Sequence, residues 1–293
     1  MQPKFYRVII YSLLIGGSLI FLFPFLWLLG TSFKASKDVL AFPPTLIPHP
    51  WVWTNYRDAL VSLSEDPNLQ LTWANIPRLP MVRFTYNTLY IIFFNIIGAL
   101  FTSALCAYGF ARLRAPGKTV IFTILLATMM LPPQVTMIPV FMIFQKLGWI
   151  NTFKPLIIPA YFGGGAFNIF LLRQFFLTLP KELEEAAIVD GSGRLRIFWQ
   201  IILPLSKPAL LTVMVFSFLY MWNDFMGPLI YLQDIEKFTL AIGLNLFKGM
   251  YATKTPWGPL MAASTLMTLP IIVLFFISQR YFIQGIALTG TKG

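Results

Sequence analysis

The sequence predicts an all-α integral membrane protein with six transmembrane helices, and three observations carry this prediction. Hydrophobic residues make up 57% of the 293 residues and charged residues only 11%, whereas soluble domains average about half and a quarter. The apolar residues occur in long blocks, each close to the roughly 20 residues that cross a hydrocarbon core of about 30 Å. The sequence lacks the alternating ten-residue segments of a β-barrel, so helices must satisfy the backbone.

The six apolar blocks are the predicted spans. They cover residues 8–29, 84–111, 119–145, 155–172, 208–233 and 255–279. The first block follows Lys4 and Arg7 and could be read as a signal peptide. It is longer than a usual signal core, and no clear A-x-A site follows it, which favours an uncleaved membrane helix.

The net charge of +11 could indicate nucleic-acid binding, but basic residues also flank membrane spans on the cytoplasmic side. With both termini in the cytoplasm, the cytoplasmic segments are 1–7, 111–118, 179–207 and 280–293. They hold eleven Lys or Arg in 58 residues, against ten in 87 for the external segments 31–83, 146–154 and 234–258. The bias supports this orientation, and we expect no nucleic-acid partner. The whole chain, 1–293, is predicted to form one membrane domain.

The sequence offers little for catalysis, metals or nucleotides. His49 is the single histidine and is expected on the surface of the first external loop, while Cys106 is the single cysteine and lies inside a span. No His/Cys/carboxylate cluster suits a metal. The tail at Thr289–Gly293 lacks the spacing and hydroxyl of a P-loop. We therefore predict no catalytic residue, no metal site and no cofactor bound by this chain.

Two spans are interrupted, and the first external loop is rich in proline and tryptophan. Pro132-Pro133 lies in the third span and Gly163-Gly164-Gly165 in the fourth. Such breaks are tolerated where protein or a wet cavity covers the freed backbone groups, so they mark either a translocation path or a packing kink. Trp51, Trp53 and Trp73 suit either interfacial anchoring or a partner surface.

The long cytoplasmic loop 179–207 has the pattern of two short helices joined by a hard turn. Acidic residues crowd the start of the first helix, where they complement the helix dipole. Gly191 fits a left-handed cap that ends it, and Ser192 could cap the next helix. Leu183, Ala186, Ala187 and Asp190 would share one face, which is flat in its middle because alanines let another surface approach closely.

The spacing in this loop resembles that of ABC importer permeases. Glu185-Ala186-Ala187, then Gly191, then Leu203-Pro204 matches the EAA loop of that family. Other short motifs along the chain resemble those of the carbohydrate-uptake branch of this family, and of the smaller membrane subunit of maltose-type importers. They are Asn55-Tyr56, Asn87-Thr88-Leu89, Tyr108 with Phe110-Ala111-Arg112, Leu131-Pro132, Trp222-Asn223 and Lys292-Gly293. The segment 62–80 departs from the family, since it looks longer than usual there.

The resemblance implies a function and an assembly. The chain would be the permease subunit of an ATP-driven sugar importer in a bacterial or archaeal plasma membrane, and not itself an enzyme. Its partners would be a companion permease, two ATPase subunits that carry ATP and magnesium, an external sugar-binding protein and membrane lipids. The EAA segment between the fourth and fifth spans would be a coupling helix that docks on an ATPase. The residues implied in coupling are Glu185, Ala186, Ala187, Asp190, Gly191, Leu203 and Pro204.

Asp224 is a carboxylate inside a predicted span, and such groups are functional candidates. Tyr220 and Asn223 would share its face at i, i+3 and i+4 spacing, with Trp222 pointing elsewhere. Aromatic, amide and carboxylate groups together suit a sugar, so we predict that Tyr220, Asn223 and Asp224 line the substrate path. The alternative is that Asp224 pairs with a neighbouring subunit.

Two other functions fit the sequence less well. An ion-coupled secondary transporter would need several buried ionisable groups, and Asp224 is nearly alone. A membrane-embedded enzyme would need a catalytic cluster, which the sequence lacks. The loop 234–258 contains Gly243 and Gly249, so it is expected to flex, and by resemblance to reach into the binding protein.

Overall fold

The structure is a computed structural model that describes residues 4–64, 72, 74–249 and 255–290, without the side chains of residues 4 and 280–290. Trp73, Lys254 and Lys292-Gly293 lie outside the described residues. Within the described part of the chain every regular element is a helix. The α-helices are α1 (Lys4–Ser32), α2 (Thr54–Val61), α3 (Pro80–Arg112), α4 (Lys118–Thr128), α5 (Pro133–Lys146), α6 (Lys154–Ile157), α7 (Ala166–Thr178), α8 (Glu182–Val189), α9 (Arg194–Ile197), α10 (Leu203–Leu205), α11 (Lys207–Trp222), α12 (Met226–Tyr231), α13 (Leu240–Gly249) and α14 (Trp257–Gly290).

Four helical stretches are long and apolar enough to cross a membrane. They are Phe5–Ser32, Pro80–Arg112, Lys154–Thr178 and Trp257–Gln279. Two further pairs qualify only when each is counted as one span across a bend: α4 with α5, bent by 98°, and Arg194–Leu205 with α11, bent by 76°. The described residues therefore hold four to six candidate spans.

The predicted third span, 119–145, is not one continuous helix. Pro132 is extended, with φ −60° and ψ 130°, and Pro133 begins α5. Neither proline has a backbone N–H, and a residue that precedes proline is disfavoured in helical conformation. The chain therefore turns by 98° between α4 and α5, which is a sharper break than the predicted interruption.

The break predicted in the fourth span is confirmed. A short 3₁₀ helix (Ile158–Tyr161) follows α6, and α7 begins only at Ala166. Gly163, Gly164 and Gly165 all have positive φ, at 107°, 65° and 93°. Residues with a Cβ rarely adopt such backbone, so the three glycines permit the break.

The helix α3 packs tightly against this break. A Cβ on Gly98 would lie 2.5 Å from the ring of Tyr161, and a Cβ on Gly164 would lie 2.4 Å from the carbonyl oxygen of Ala99. Both glycines thus allow close approach of backbone to its neighbour, which is the second reason that glycine suits these positions.

Polar side chains of α3 bond the carbonyls that the break leaves unpaired. Asn95 Nδ2 donates to the oxygen of Leu156 at 2.8 Å. Thr102 Oγ1 lies 2.9 Å from the oxygen of Ala160 and 2.7 Å from that of Gly98 in its own helix, and its single proton is shared between these two acceptors. An unpaired carbonyl in an apolar environment costs several kcal/mol by transfer estimates, or about 1–3 kcal/mol by mutational data. These two side chains therefore stabilise the broken segment.

The start of α3 holds the segment before α13 in the same way. Asn87 Nδ2 donates to the oxygens of Glu236 and Phe238, at 2.8 and 3.0 Å. Thr88 Oγ1 accepts a hydrogen bond of 2.9 Å from the N–H of Leu240. Positions 88, 95 and 102 are seven residues apart and fall on one side of α3.

The predicted fifth span, 208–233, ends early, because α11 stops at Trp222. Asn223 follows as the C-cap, and its Nδ2 donates to the oxygen of Leu219 at 2.8 Å. Asp224 Oδ1 accepts a hydrogen bond from the N–H of Gly227 at 3.1 Å, within the first turn of α12. Side chains of this kind compete with helix continuation, so the prediction of a single helix here is wrong.

The chain divides into two compact units, residues 1–83 with 243–270 and residues 84–242 with 271–293. In the first unit Phe33 is surrounded by Trp51, Trp53 and Tyr56, with ring centroids 5.2, 4.7 and 5.1 Å away. Both tryptophans remain partly exposed. His49 is exposed, as predicted. The expectation of one permease domain over 1–293 stays a prediction.

Asn55 joins the parts of this first unit. Its Nδ2 donates to the oxygens of Ser32 and Lys34, both at 2.8 Å. A Cβ on Gly258 would lie 2.6 Å from the same amide, so α14 begins in direct contact with it. The residue is 4% exposed, and its buried amide needs these partners.

The second unit contains the larger apolar core. Its buried residues come from α3, α4, α7, α9 and α11, and from the π-helical turn Phe198–Ile202. They are Ala104, Ala107, Tyr108, Phe122, Ile169, Leu172, Phe176, Ile197, Phe198, Ile202, Ala209 and Val213. This core joins the segment Arg194–Ile202 to the long apolar helices.

The described part of the segment 234–258 is largely helical. A 3₁₀ turn (Ile235–Lys237) and α13 occupy most of its described residues, and Gly243 lies inside α13. Ile242 and Phe247 on this helix are buried. The expectation that this loop flexes stays a prediction.

The close packing at Gly164 yields a stability prediction. Gly164→Ala should lower the melting temperature more than Gly117→Ala. Both glycines have positive φ, at 65° and 72°, which costs an L-residue about 1–2 kcal/mol, but a Cβ at 117 would meet nothing within 4 Å. At 164 it would overlap the backbone of α3 and add about 1–3 kcal/mol of overpacking. Thermal unfolding in detergent checks this, and equal melting temperatures for the two variants would contradict the packing argument.

Candidate functional site

The segment 179–207 folds as two short helices with a hard turn, as predicted. The helix α8 spans Glu182–Val189, with Glu182, Glu184 and Glu185 in its first turn. The predicted cap is confirmed at Gly191, where φ is 80°. Gly191 N–H donates to Ile188 at 3.0 Å, and Ser192 N–H donates to Ala187 at 2.8 Å. These two bonds are the Schellman pattern, which satisfies the last carbonyls of a helix.

The second helix begins differently from the prediction. Gly193, not Ser192, is the N-cap of α9, and no side chain caps it. The π-helical turn Phe198–Ile202 follows, and then α10, which contains Leu203 and Pro204. Pro204 lacks the N–H that a regular helix would use there, and a π-turn just before it is one way to accommodate this.

The residues implied in coupling share this segment but differ in exposure. Glu185, Ala186, Asp190, Gly191 and Pro204 are exposed in the chain. Ala187 and Leu203 are half-buried and pack against the core of the second unit. The helix face predicted for docking is therefore mostly exposed, and Ala187 attaches it to the rest of the second unit. The coupling roles of all seven residues stay a prediction.

A buried ion pair lies beneath α8. Arg112 Nε, at the end of α3, is 2.9 Å from Glu184 Oε1, and the two side chains are only 3% and 7% exposed. Arg112 Nη2 also donates to the oxygens of Phe176 and Leu179, at 2.5 and 2.7 Å. One guanidinium therefore joins the end of α3, the end of α7 and the start of α8.

The sequence analysis did not predict that Glu184 is buried and differs in this from Glu182 and Glu185. Three acidic residues in one turn look equivalent in sequence, and only one of them is buried. In the structure Glu184 and the half-buried Ala187 are three positions apart and share a helix face. The Arg112 that ends a membrane helix was the available partner for it.

A polar cleft opens beside α8. Besides the ion pair, it is lined by Glu185 and by four basic residues, Arg114, Lys118, Lys181 and Arg194. The basic side chains outnumber the acidic ones, so the cleft has a positive potential at the ends of α3 and α8.

The residues predicted to line the substrate path are not brought together on one helix face. The shared-face argument fails because α11 ends at Trp222, before Asn223 and Asp224. Trp222 points away as expected, but it is buried and stacks on Phe218 at 5.3 Å. Asn223 is exposed. The assignment of Tyr220, Asn223 and Asp224 to the path stays a prediction.

Tyr220 and Asp224 line two different cavities. Asp224 faces a small, mostly apolar cavity together with Thr88 and Thr239. Tyr220 lines an open cavity of about 950 Å³. Its walls come from the bend between α4 and α5, the break before α7, the middle of α3 and the end of α11. The two interruptions noticed in the sequence thus meet at one cavity.

Comparison with known proteins gives a family and several relatives. The family described as "Binding-protein-dependent transport system inner membrane component" matches residues 99–288. The trehalose/maltose transport system permease protein MalG of Thermococcus litoralis is 31% identical over 285 residues, which cover 96% of this chain and 96% of the relative. The diacetylchitobiose uptake system permease protein NgcG of Streptomyces coelicolor is 31% identical over 275 residues, 94% of this chain and 85% of the relative.

A third relative and a solved structure extend the comparison. The sn-glycerol-3-phosphate transport system permease protein UgpE of Yersinia enterocolitica is 31% identical over 274 residues, 94% of this chain and 93% of the relative. A chain of a bacterial ABC transporter that imports the acidic polysaccharide alginate superposes with a TM-score of 0.76. It is 24% identical and covers 96% of this chain and 99% of that chain. This likeness shows the fold.

The ion pair beneath α8 gives the second prediction. Glu184→Ala should destabilise the chain by about 3–5 kcal/mol, because it leaves the Arg112 charge buried without its partner. Glu185→Ala, one residue further on and exposed, is the matched control and should change stability by less than about 0.5 kcal/mol. Unfolding of both variants in detergent would be followed by tryptophan fluorescence. Similar losses in the two variants would show that the ion pair contributes nothing.

Proposed function

Because this chain belongs to the family of binding-protein-dependent transport system inner membrane components, we propose that it is a membrane-spanning permease subunit of an ATP-driven sugar importer. The relatives named for trehalose and maltose and for diacetylchitobiose support the sugar class. The chain would not be an enzyme itself, and ATP hydrolysis would take place on separate subunits. The observation that carries the proposal is the segment 182–205.

The surface of that segment supports docking on a partner. Six large apolar side chains are exposed along it, led by Val189 at 87% and Leu195 at 69%. The others are Leu183, Ile188, Trp199 and Leu205. Exposed apolar groups that lie close together usually mark an interaction surface. We assign this surface to contact with a cytoplasmic ATPase, with Glu185, Ala186 and Asp190 exposed beside it.

The ion pair explains how such a contact would act on the membrane helices. Arg112 holds the start of α8 against the ends of α3 and α7. Gly191 closes α8 with a rigid cap, and Ala187 and Leu203 attach the segment to the core. A push on α8 would therefore be transmitted to α3 and α7.

The proposed topology has six spans, with each bent pair counted as one, and both termini in the cytoplasm. The basic cleft beside α8 supports this orientation, since positive charge concentrates on the cytoplasmic side. The segment 31–83, which contains the Phe33 cluster, would then face outward, and 179–207 would face inward. The chain would lie in a bacterial or archaeal plasma membrane.

The proposed assembly contains four further proteins around this chain. They are a companion permease, two ATPase subunits with ATP and magnesium, and an external binding protein that delivers sugar. Binding of ATP would draw the ATPases together and move α8, and the membrane cavity would then open outward. The chain itself would contact membrane lipid through exposed apolar helices such as α1.

The third prediction tests the function directly. The chain, reconstituted in proteoliposomes with its companion permease, ATPases and binding protein, should take up a neutral sugar such as trehalose or maltose only when ATP is hydrolysed. Gly191→Arg should insert normally and yet lose uptake, because a Cβ at φ 80° strains the cap by about 1–2 kcal/mol and the charged side chain obstructs docking on the ATPase. Gly193→Arg, at φ −74°, carries the same charge without the strain and is expected to retain more uptake. Uptake driven by a proton or sodium gradient alone would reject the proposal.

The fourth prediction tests the orientation. In a Cys106→Ala background, Ile47→Cys should react with a membrane-impermeant maleimide added outside intact cells, since residue 47 is 60% exposed. Arg114→Cys, in the basic cleft, should react only after the membrane is opened. The reverse labelling pattern would overturn the proposed topology.

A further inference from the structure

The 950 Å³ cavity has a lining that points to one class of substrate. We propose that it receives the uncharged, hydroxyl-rich part of the cargo, so that the chain serves a neutral glycoside rather than a sugar phosphate or a uronate. This inference rests on the proposed function and deepens it. The volume falls within the range of about 300–1,000 Å³ that is common for small-molecule sites.

The lining is free of fixed charge. Among the described residues that form it, none is Asp, Glu, Lys, Arg or His. The polar groups are those of Asn95, Thr128, Asn168, Ser217 and Tyr220. A phosphate or carboxylate that leaves water for such a site would have no cation to pair with, and an unpaired ion in an apolar environment is strongly destabilised. Proteins that bind these anions usually present Arg or Lys to them.

The uncharged groups offer both acceptors and donors. Asn95 and Asn168 each commit one N–H to a backbone oxygen, of Leu156 and of Gly164, both at 2.8 Å. The Thr128 hydroxyl donates to the oxygen of Leu125 at 2.6 Å. The amide and hydroxyl oxygens of these residues remain available as acceptors, and each amide has a second N–H. A sugar hydroxyl can use both kinds of group, whereas a phosphate dianion brings only acceptors and cannot bond the amide and hydroxyl oxygens.

One feature of the lining favours negative charge, but its electrostatic effect is small. The first turn of α7 borders the cavity through Gly165, Ala166 and Phe167. A helix N-terminus corresponds to about half an elementary positive charge, which falls well short of a phosphate dianion. The same N–H groups suit the oxygen of a hydroxyl, so the cavity offers both donors and acceptors to a neutral polyol.

Aromatic rings complete the site. Tyr220 is 72% exposed and Phe167 is 45% exposed, and Phe167 packs at 6.0 Å from Phe216. Aromatic faces complement the C–H face of a pyranose, and hydrophobic and aromatic walls with a few polar groups are typical of ligand sites. The composition therefore separates this chain from a carrier of the anionic cargoes named for UgpE and for the alginate importer.

Occupancy of the cavity can be measured by protection of an introduced thiol. In the Cys106→Ala background, Ser217→Cys places a thiol in the lining, and Ile47→Cys, 60% exposed in the segment proposed to face outward, is the control away from the cavity. The complete transporter would be held with its binding protein and a non-hydrolysable ATP analogue, and labelled with a small neutral maleimide. Trehalose, maltose and diacetylchitobiose are the neutral probes, and sn-glycerol 3-phosphate is the anionic probe.

We expect the neutral probe that the transporter takes up to slow labelling of Ser217→Cys by about fourfold when the site is three-quarters filled. The Ile47→Cys rate should not change, and sn-glycerol 3-phosphate should protect neither thiol. Met129→Cys, on another wall of the cavity, should repeat the result if Ser217→Cys does not assemble. The inference is overturned if a neutral sugar is taken up without protection at either position, or if the anionic probe protects as well or is the one taken up. Absence of ATP-dependent uptake for every probe would count against the proposed function instead.

Discussion

The constraint on which the second unit depends is that a backbone oxygen in a water-free environment must find a donor. A continuous helix meets this need by itself, but the chain between Leu156 and Gly165 is not one. The missing donors come from Asn95 and Thr102 on α3, while Asn168 returns to the oxygen of Gly164. Each bond fixes a part of the break in place. Because α3 supplies most of them, it acts as the frame against which the irregular segments are held, and the glycines allow it to approach closely enough.

Much of this fold could be predicted from sequence because it depends on local patterns. Long apolar blocks located the membrane helices, and Gly163–165 marked a real break. Gly191 was predictable for a stronger reason, since a positive φ after an amphipathic helix requires a residue without a Cβ. The 98° bend between α4 and α5 was harder. Two prolines predict an interruption, but the angle depends on what packs around it.

The candidate site was less predictable, because it depends on contacts between distant residues. Arg112 and Glu184 are 72 positions apart in sequence, and nothing local shows which of three glutamates turns inward. The early end of α11 was missed for a similar reason. Hydropathy runs on past Asn223 and Asp224 as if the helix continued, whereas those two side chains bond nearby backbone and stop it. A shared face of Tyr220, Asn223 and Asp224 requires a helix over all three residues, and only Tyr220 lies within α11.

The segment 182–205, for which we propose a coupling role, and the cavity share their supporting helices, and this gives the proposed mechanism a physical basis. Arg112 ties α8 to the ends of α3 and α7. Further along, the same two helices line the cavity through Asn95 and Ala99 on one side and Phe167 and Asn168 on the other. Since the ion pair is buried and its rupture would cost several kcal/mol, a displacement of α8 is better accommodated by moving the helix ends than by separating the pair. The segment between those ends and the cavity is packed core, which transmits a shift instead of absorbing it. Gly164 and Gly165, in the broken backbone, border the cavity, so a shift of α7 would move part of the cavity wall.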